Sequence, residues 1–245
     1  MASNVLFPEL MMQRTPGGAR PELDLPQFSL ASRAAYRRVM AVLKGRKRPF
    51  LVGGAIGISA QIGIVVDGDL ELLVRPSDAR DVLDAFSAAG FRVIPDPSLP
   101  RARVEYGPVA VTVSWGLPDP LGGVIDEAWF EYSKRVHLLD LRVRVAPIEE
   151  LLWLRIAAAS DDRVGDPVVE EVLLSHGHEL DWQRLLLRLA GLEALACSYL
   201  FLLFYRHGAR GFRAIPPSVL ETLIDRSTES LSLPPSGQGT HAPLG

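Results

Sequence analysis

Cysteine is nearly missing from this chain. Its one thiol, Cys197, excludes an intramolecular disulfide and a cysteine-built zinc site, and it fits a reducing cytoplasm. Long apolar runs are missing too. The longest, Ala194 to Tyr205, is broken by Ser198 and falls short of the roughly 20 residues a membrane span needs, so it reads as a buried helix with no membrane partner. No basic-then-apolar run opens the N-terminus, and no secretion signal is expected. Charge of one sign is not in excess either. Lys plus Arg number 26 against 29 Asp plus Glu, a net charge of -3, so no global field draws the chain to nucleic acid or anionic lipid. There are no internal repeats. With 245 residues and 48% apolar content, the chain has ample material for one large core or two small ones.

The stretch that is there, and around which the rest is arranged, runs from Arg48 to Val74. Pro49 to Val52 reads as an apolar strand, Gly53-Gly54-Ala55 as a turn, Ile56 to Ile62 as a short helix. A second strand follows over Leu70 to Val74, entered through Asp67-Gly68-Asp69. Residues two apart on a strand share a face. If the extended backbone begins at Asp67, then Asp67, Asp69 and Glu71 stack on one face, where like charges repel. A bound cation relieves that repulsion, and so does open solvent at a strand end.

Around this centre the chain reads as follows. Residues 1–26, rich in proline and glycine, are expected to be a disordered leader. Ser29 or Ser32 caps a helix to about Lys44. The basic cluster Lys44, Arg46, Lys47 and Arg48 either complements that helix's dipole or forms a phosphate-facing rim. Ser77 caps a helix ended at Gly90. Strands are expected at Phe91 to Ile94, Val104 to Tyr106, Val109 to Ser114, Val136 to Leu139 and Leu141 to Val145, with a short helix over Ile125 to Tyr132. From Pro147 the pattern turns helical: Ile148 to Ile156, Val168 to Ser175, Trp182 to Ala190, Leu192 to Arg206 and Ser218 to Arg226. The fold class is therefore α+β with α/β-like character, a small mixed sheet flanked by helices and followed by a C-terminal helical cap. The expected division is a sheet-bearing domain over 27–146, a helical region over 147–226 packed on it, and a disordered tail over 227–245.

Leu51-Val52-Gly53-Gly54-Ala55, followed about 14 residues later by Asp69-Leu70-Glu71-Leu72-Leu73-Val74-Arg75-Pro76, resembles bacterial nucleotidyltransferases of the DNA polymerase beta-like superfamily. The resemblance resumes at Asp126 to Phe130, Val143 to Leu151 and Glu179 to Trp182, and covers about residues 34 to 226. It implies transfer of a nucleoside monophosphate from ATP or another nucleoside triphosphate to a hydroxyl on a small molecule, a protein or an RNA end. It further implies two magnesium ions held by strand carboxylates, and a glycine turn whose backbone N–H groups meet the triphosphate. Carried onto this chain, Asp69 and Glu71 are the metal ligands, and Gly53 and Gly54 form the phosphate turn with Arg48 beside it.

The chain departs from the family pattern in three places. The second ligand is Glu71 rather than aspartate. The strand expected to supply a third carboxylate, Val109 to Ser114, offers Ala110, Val111, Thr112 and Val113 but no acid, and Asp67 is the substitute within reach. Arg155 stands where the family often has lysine. The alternative is a catalytically weakened nucleotidyltransferase-fold protein that binds nucleotide or a partner, as the regulatory half of a toxin–antitoxin-like pair would. Elsewhere, His176 and His178 lack a metal-binding context, and His137 reads as a structural strand residue. Ser59 and Ser114 lack a hydrolase context, and Cys197 and the four tryptophans read as core.

Overall fold

The computed structural model of this chain describes residues 28–66, 68–117, 123–158 and 165–232. The expected leader over 1–26 lies outside them, and so does Asp67. The chain forms two compact units, Met1–Leu151 and Leu152–Gly245. The division falls within the helix Ile148–Ala157, five residues beyond position 146.

The first unit is built on a seven-stranded mixed sheet: β1 (Leu51–Gly53), β2 (Glu71–Leu73), β3 (Arg92–Pro95), β4 (Arg101–Tyr106), β5 (Val109–Ser114), β6 (Lys134–Leu138) and β7 (Leu141–Val145). Their spatial order is β3-β4-β5-β2-β1-β7-β6. The strands β1 and β2 are antiparallel neighbours at the centre, and each has a parallel partner outside it, β7 and β5. The fold is α+β, with the mixed sheet the sequence predicts.

Strand alternation decides what each face carries. In β4, Ala102 and Val104 are buried while Arg101 and Arg103 are exposed; in β5, Val111 and Val113 point into the core. Val104, Val111 and Val113 join Leu70, Leu72 and Val74 in a cluster closed by α1 (Leu30–Gly45), which supplies Tyr36, Val39, Met40 and Leu43. The helix α3 (Ala79–Ala88) adds Val82 and Phe86 to it. Glu71, Thr112 and Ser114 occupy the alternate positions, on the opposite side of the sheet. Burying this apolar set against two amphipathic helices is what makes the short strands stable.

Local chemistry fixes the helix ends. The Ser29 hydroxyl accepts from the Ser32 N–H at 3.1 Å and starts α1. Ser77 is not a cap: Pro76–Asp78 is a single 3₁₀ turn, and α3 begins behind it at Ala79. Pro76 locks the first φ of that turn, which displaces the cap by one residue, from Ser77 to Asp78. Asp126 caps α4 (Glu127–Glu131) by accepting from Ala128 N–H. The rest of α1 is tied to the β6–β7 hairpin, Arg37 pairing with Asp140 at 2.8 Å and Lys44 donating to the Arg142 carbonyl at 2.9 Å. Both members of the Arg37–Asp140 pair are more than half exposed. Arg37→Ala is therefore expected to cost less than about 1 kcal/mol in thermal unfolding; a larger loss would mean the pair is better desolvated than its exposure indicates.

The helix α5 (Ile148–Ala157) crosses the unit boundary. In the second unit follow α6 (Pro167–His176), α7 (Trp182–Arg188), α8 (Glu193–His207), α9 (Ala209–Ala214) and α10 (Pro217–Ser232). Buried Glu170 on α6 accepts from Arg206 and lies 3.2 Å from His207 Nε2, both on α8. The sequence reading missed α9 and ended α10 at Arg226. The last helix in fact continues past Ser227, which is buried 3.7 Å from the Cys197 thiol. A serine placed on the apolar side of a helix hides the periodicity that marks the end of one. Among the described residues, no helix is long and apolar enough to cross a membrane.

Candidate functional site

The two central strands carry the candidate site, and glycines set its geometry. The strand β1 ends at Gly53 and the chain turns directly into α2 (Gly54–Ile62). Gly54 holds a left-handed φ of 58°, which a side-chain-bearing residue enters only at a cost. A Cβ on Gly54 would stand 3.3 Å from both Glu71 Cβ and Glu71 Oε2, and 3.8 Å from the Asp69 carbonyl oxygen. One on Gly53 would meet Leu73 Cδ1 at 2.8 Å. Gly68 repeats the device from the other side: at φ 150° its Cβ would lie 2.7 Å from that of Ala55. The antiparallel register Gly53↔Glu71 explains these contacts, since it lays the carboxylate-bearing strand against the turn. Hence the first turn of α2, with no side-chain cap and its leading N–H groups outside the helix's own bonding, opens beside Asp69 and Glu71.

The carboxylates differ in environment. Glu71 is half-buried at the head of β2. Its Oε1 accepts the Ser114 hydroxyl at 2.8 Å, while Oε2 lies toward Gly54. Burial pushes its carboxyl above the usual carboxylate range, and the Ser114 hydrogen bond and the Arg101 charge pull it partly back. Asp69 is exposed and precedes the ladder; its Oδ1 receives a long 3.4 Å contact from the Tyr36 hydroxyl of α1. The strand itself begins at Glu71, and Asp67, the first member of the expected stack, lies outside the described residues. Burial and the Asp69 charge together raise the Tyr36 phenol above its ordinary range.

Arg48 lies before the start of β1 and pairs with Asp81 of α3 at 2.8 Å, a partner away from the glycines it was expected to flank. Lys44 is tied to the β6–β7 hairpin, so two of the four basic residues, Lys44 and Arg48, have partners on the fold's own elements. Arg155 pairs with Asp166 at 2.7 Å within the second unit. Ser59 is structural: it donates to the Ala55 carbonyl and accepts from Val66 N–H, pinning the loop after α2.

Sequence reasoning missed two residues, Ser114 and Arg101. Parallel pairing sets Leu73 opposite Ser114, and antiparallel pairing sets Ser114 opposite Arg101. The available signal was Thr112 and Ser114 at alternate positions of an otherwise apolar strand, the mark of a strand with one polar face.

Magnesium takes oxygen ligands and is commonly held by one or two carboxylates together with substrate phosphates and water. Asp69 and Glu71 fit that description for one ion. A two-ion arrangement needs a further acid, and among the described residues no group of three or more His, Cys, Asp or Glu side chains is placed to hold a metal.

No protein-family model matches the chain, and no curated protein does. Among solved structures it is similar to ANT(2")-Ia in complex with adenylyl-2"-tobramycin, at 17% identity and TM-score 0.45 over 67% of this chain and 98% of that one. It is similar also to a putative nucleotidyltransferase from Thermotoga maritima, at 16% identity and TM-score 0.41 over 51% of this chain and 82% of that one. A third is the lincomycin-bound lincosamide antibiotic adenylyltransferase LnuA, at 10% identity and TM-score 0.41 over 59% of this chain and 96% of that one. At these levels of identity and overlap, the site is read from the residues of this chain.

Proposed function

We propose that the first unit binds ATP or another nucleoside triphosphate at the Gly53-Gly54 turn and transfers its nucleoside monophosphate to a hydroxyl acceptor. One observation carries this reading: Gly54, left-handed and without a Cβ, sits directly against the Glu71 carboxylate. A phosphate approaching such a turn meets the N–H groups and positive dipole end of α2, and the adjacent oxygens hold the divalent cation that phosphate brings with it. Asp69 and Glu71 are the residues that would hold magnesium, whose chemistry there is to neutralise charge on the phosphates. In the transfer, the acceptor oxygen bonds to the α-phosphorus, the bond from that phosphorus to the bridging oxygen breaks, and pyrophosphate departs with the electron pair. The hydroxyl proton passes to solvent.

A second reading is favoured by Ser114, a hydroxyl on the strand from which a third acid is expected. In that reading the unit binds nucleotide, or a toxin–antitoxin-like partner, without efficient transfer.

Thermal unfolding with and without ATP plus magnesium tests the binding step, on the wild type and on Asp69→Asn combined with Glu71→Gln. A magnesium-dependent rise of several degrees in the wild type, absent in the double variant, is expected. No rise with any of the four nucleoside triphosphates overturns both nucleotide readings. Pyrophosphate release in the presence of hydroxyl acceptors then separates transfer from binding alone.

A further inference from the structure

The polar face of the sheet continues from Glu71 across Ser114 to Arg101. On β5 the alternate positions are Ala110, Thr112 and Ser114, and none is an acid. Next to β5, the antiparallel register sets Arg101 directly opposite Ser114 and Arg103 opposite Thr112. These two arginines differ. Arg103 gives its Nε to Glu105 on its own strand at 2.9 Å. Arg101 gives its Nε to Asp96 at 3.0 Å, and its charge acts on Glu71. Asp96 is itself fixed by accepting the Ser98 and Leu99 N–H groups at 2.9 and 3.2 Å. That turn therefore holds the Nε edge of a half-exposed guanidinium, and among the described residues its Nη groups make no hydrogen bond, which leaves those donors for a ligand.

Resting on the nucleotide-binding reading above, we infer that the site holds a single divalent cation and that the Arg101 guanidinium supplies the second positive charge on the triphosphate. A guanidinium suits that place for two reasons. It remains charged at every accessible pH and, anchored by Asp96 on its own side, needs no acid on β5 to hold it as a second metal would, and its planar fork matches two phosphate oxygens at once. Ser114 has the complementary role of a positioning residue. Its hydroxyl takes Glu71 Oε1 and leaves Oε2 turned to the glycine turn, where the one cation is held. An acid at 114 would set two carboxylates against each other and require a second ion instead.

Manganese counts the ions directly. Wild-type chain with ATP is titrated with Mn2+ and free ion is read by electron paramagnetic resonance, with nucleotide affinity measured by calorimetry in parallel. One Mn2+ per nucleotide-bound chain is expected. Arg101→Gln should weaken ATP roughly tenfold or more without changing that count, Arg101→Lys should recover part of the loss, and Ser114→Asp with Arg101→Gln should raise the count to two. Two ions on the wild type, or unchanged ATP affinity in a folded Arg101→Gln, overturn the inference and leave the nucleotide site standing. Wild type that binds no nucleotide at all overturns the underlying reading instead.

Discussion

Gly54→Val should lose the nucleotide response completely and destabilise the first unit by about 3 kcal/mol, the upper end for a single strained backbone position. Two costs add. A β-branched residue at φ 58° is a backbone outlier, and its Cβ would crowd the Glu71 side chain at 3.3 Å. The substitution forces the turn and the carboxylate apart, which removes the one juxtaposition on which binding rests. Gly63→Ala is the control. Its φ is 70°, yet nothing stands within 4 Å of an added Cβ, so it should carry only the strain of about 1–2 kcal/mol and keep the magnesium–ATP shift. Circular dichroism melts with and without ligand check both variants. Equal ligand shifts in Gly54→Val and the wild type would remove Gly54 from the site.

Glu71→Gln should stabilise the free protein at neutral and alkaline pH while abolishing the magnesium-dependent nucleotide shift. Burial raises the Glu71 carboxyl in the folded state, whereas the unfolded chain titrates near the ordinary value of about 4.3. Between those two values the folded state keeps a proton the unfolded state has released. Stability therefore falls as pH rises through that window, by at most about 1.4 kcal/mol per pH unit, and levels off above the raised value. Glutamine is neutral throughout and still accepts the Ser114 hydroxyl, so its difference from the wild type should be smallest near pH 4 and largest at pH 8. Denaturant unfolding at the two pH values reads this directly. A wild type that gains stability relative to Glu71→Gln over that interval would show that the Glu71 charge is already compensated in the free protein. Loss of ligand response in a variant of higher stability also separates a binding defect from a folding defect, which a destabilised variant cannot do.

Much of this architecture is legible in the sequence. Alternation in Val109 to Ser114 and Leu141 to Val145 marked strands whose bounds the structure reproduces. Ser29 and Asp181 started the helices that their side chains suggested, whereas the short helix expected from Ile125 starts behind its Asp126 cap. Gly90 and Gly191 take left-handed conformations at helix exits. These features are local: a side chain bonds a backbone group within a few residues, or a period repeats within one element. The helix continuing through Ser227 was not legible, because a distant burial partner, Cys197, holds it in place.

At the site the same division holds. The sequence by itself determined that paired glycines end one strand and that spaced carboxylates open the next, since turn chemistry and strand periodicity act over a few bonds. Whether those pieces meet, and what faces them, was settled by pairing between strands far apart in the chain. The β1–β2 register set Gly54 on Glu71, and the β2–β5–β4 register brought Ser114 and Arg101 to the polar face. Arg48, close to the glycines in sequence, was carried to the far end of β1 and given to Asp81. A strand moves its two ends apart by about 3.3 Å per residue, so nearness in sequence becomes distance along the sheet. Hydrogen bonds across the sheet bring together residues that the chain keeps dozens of positions apart.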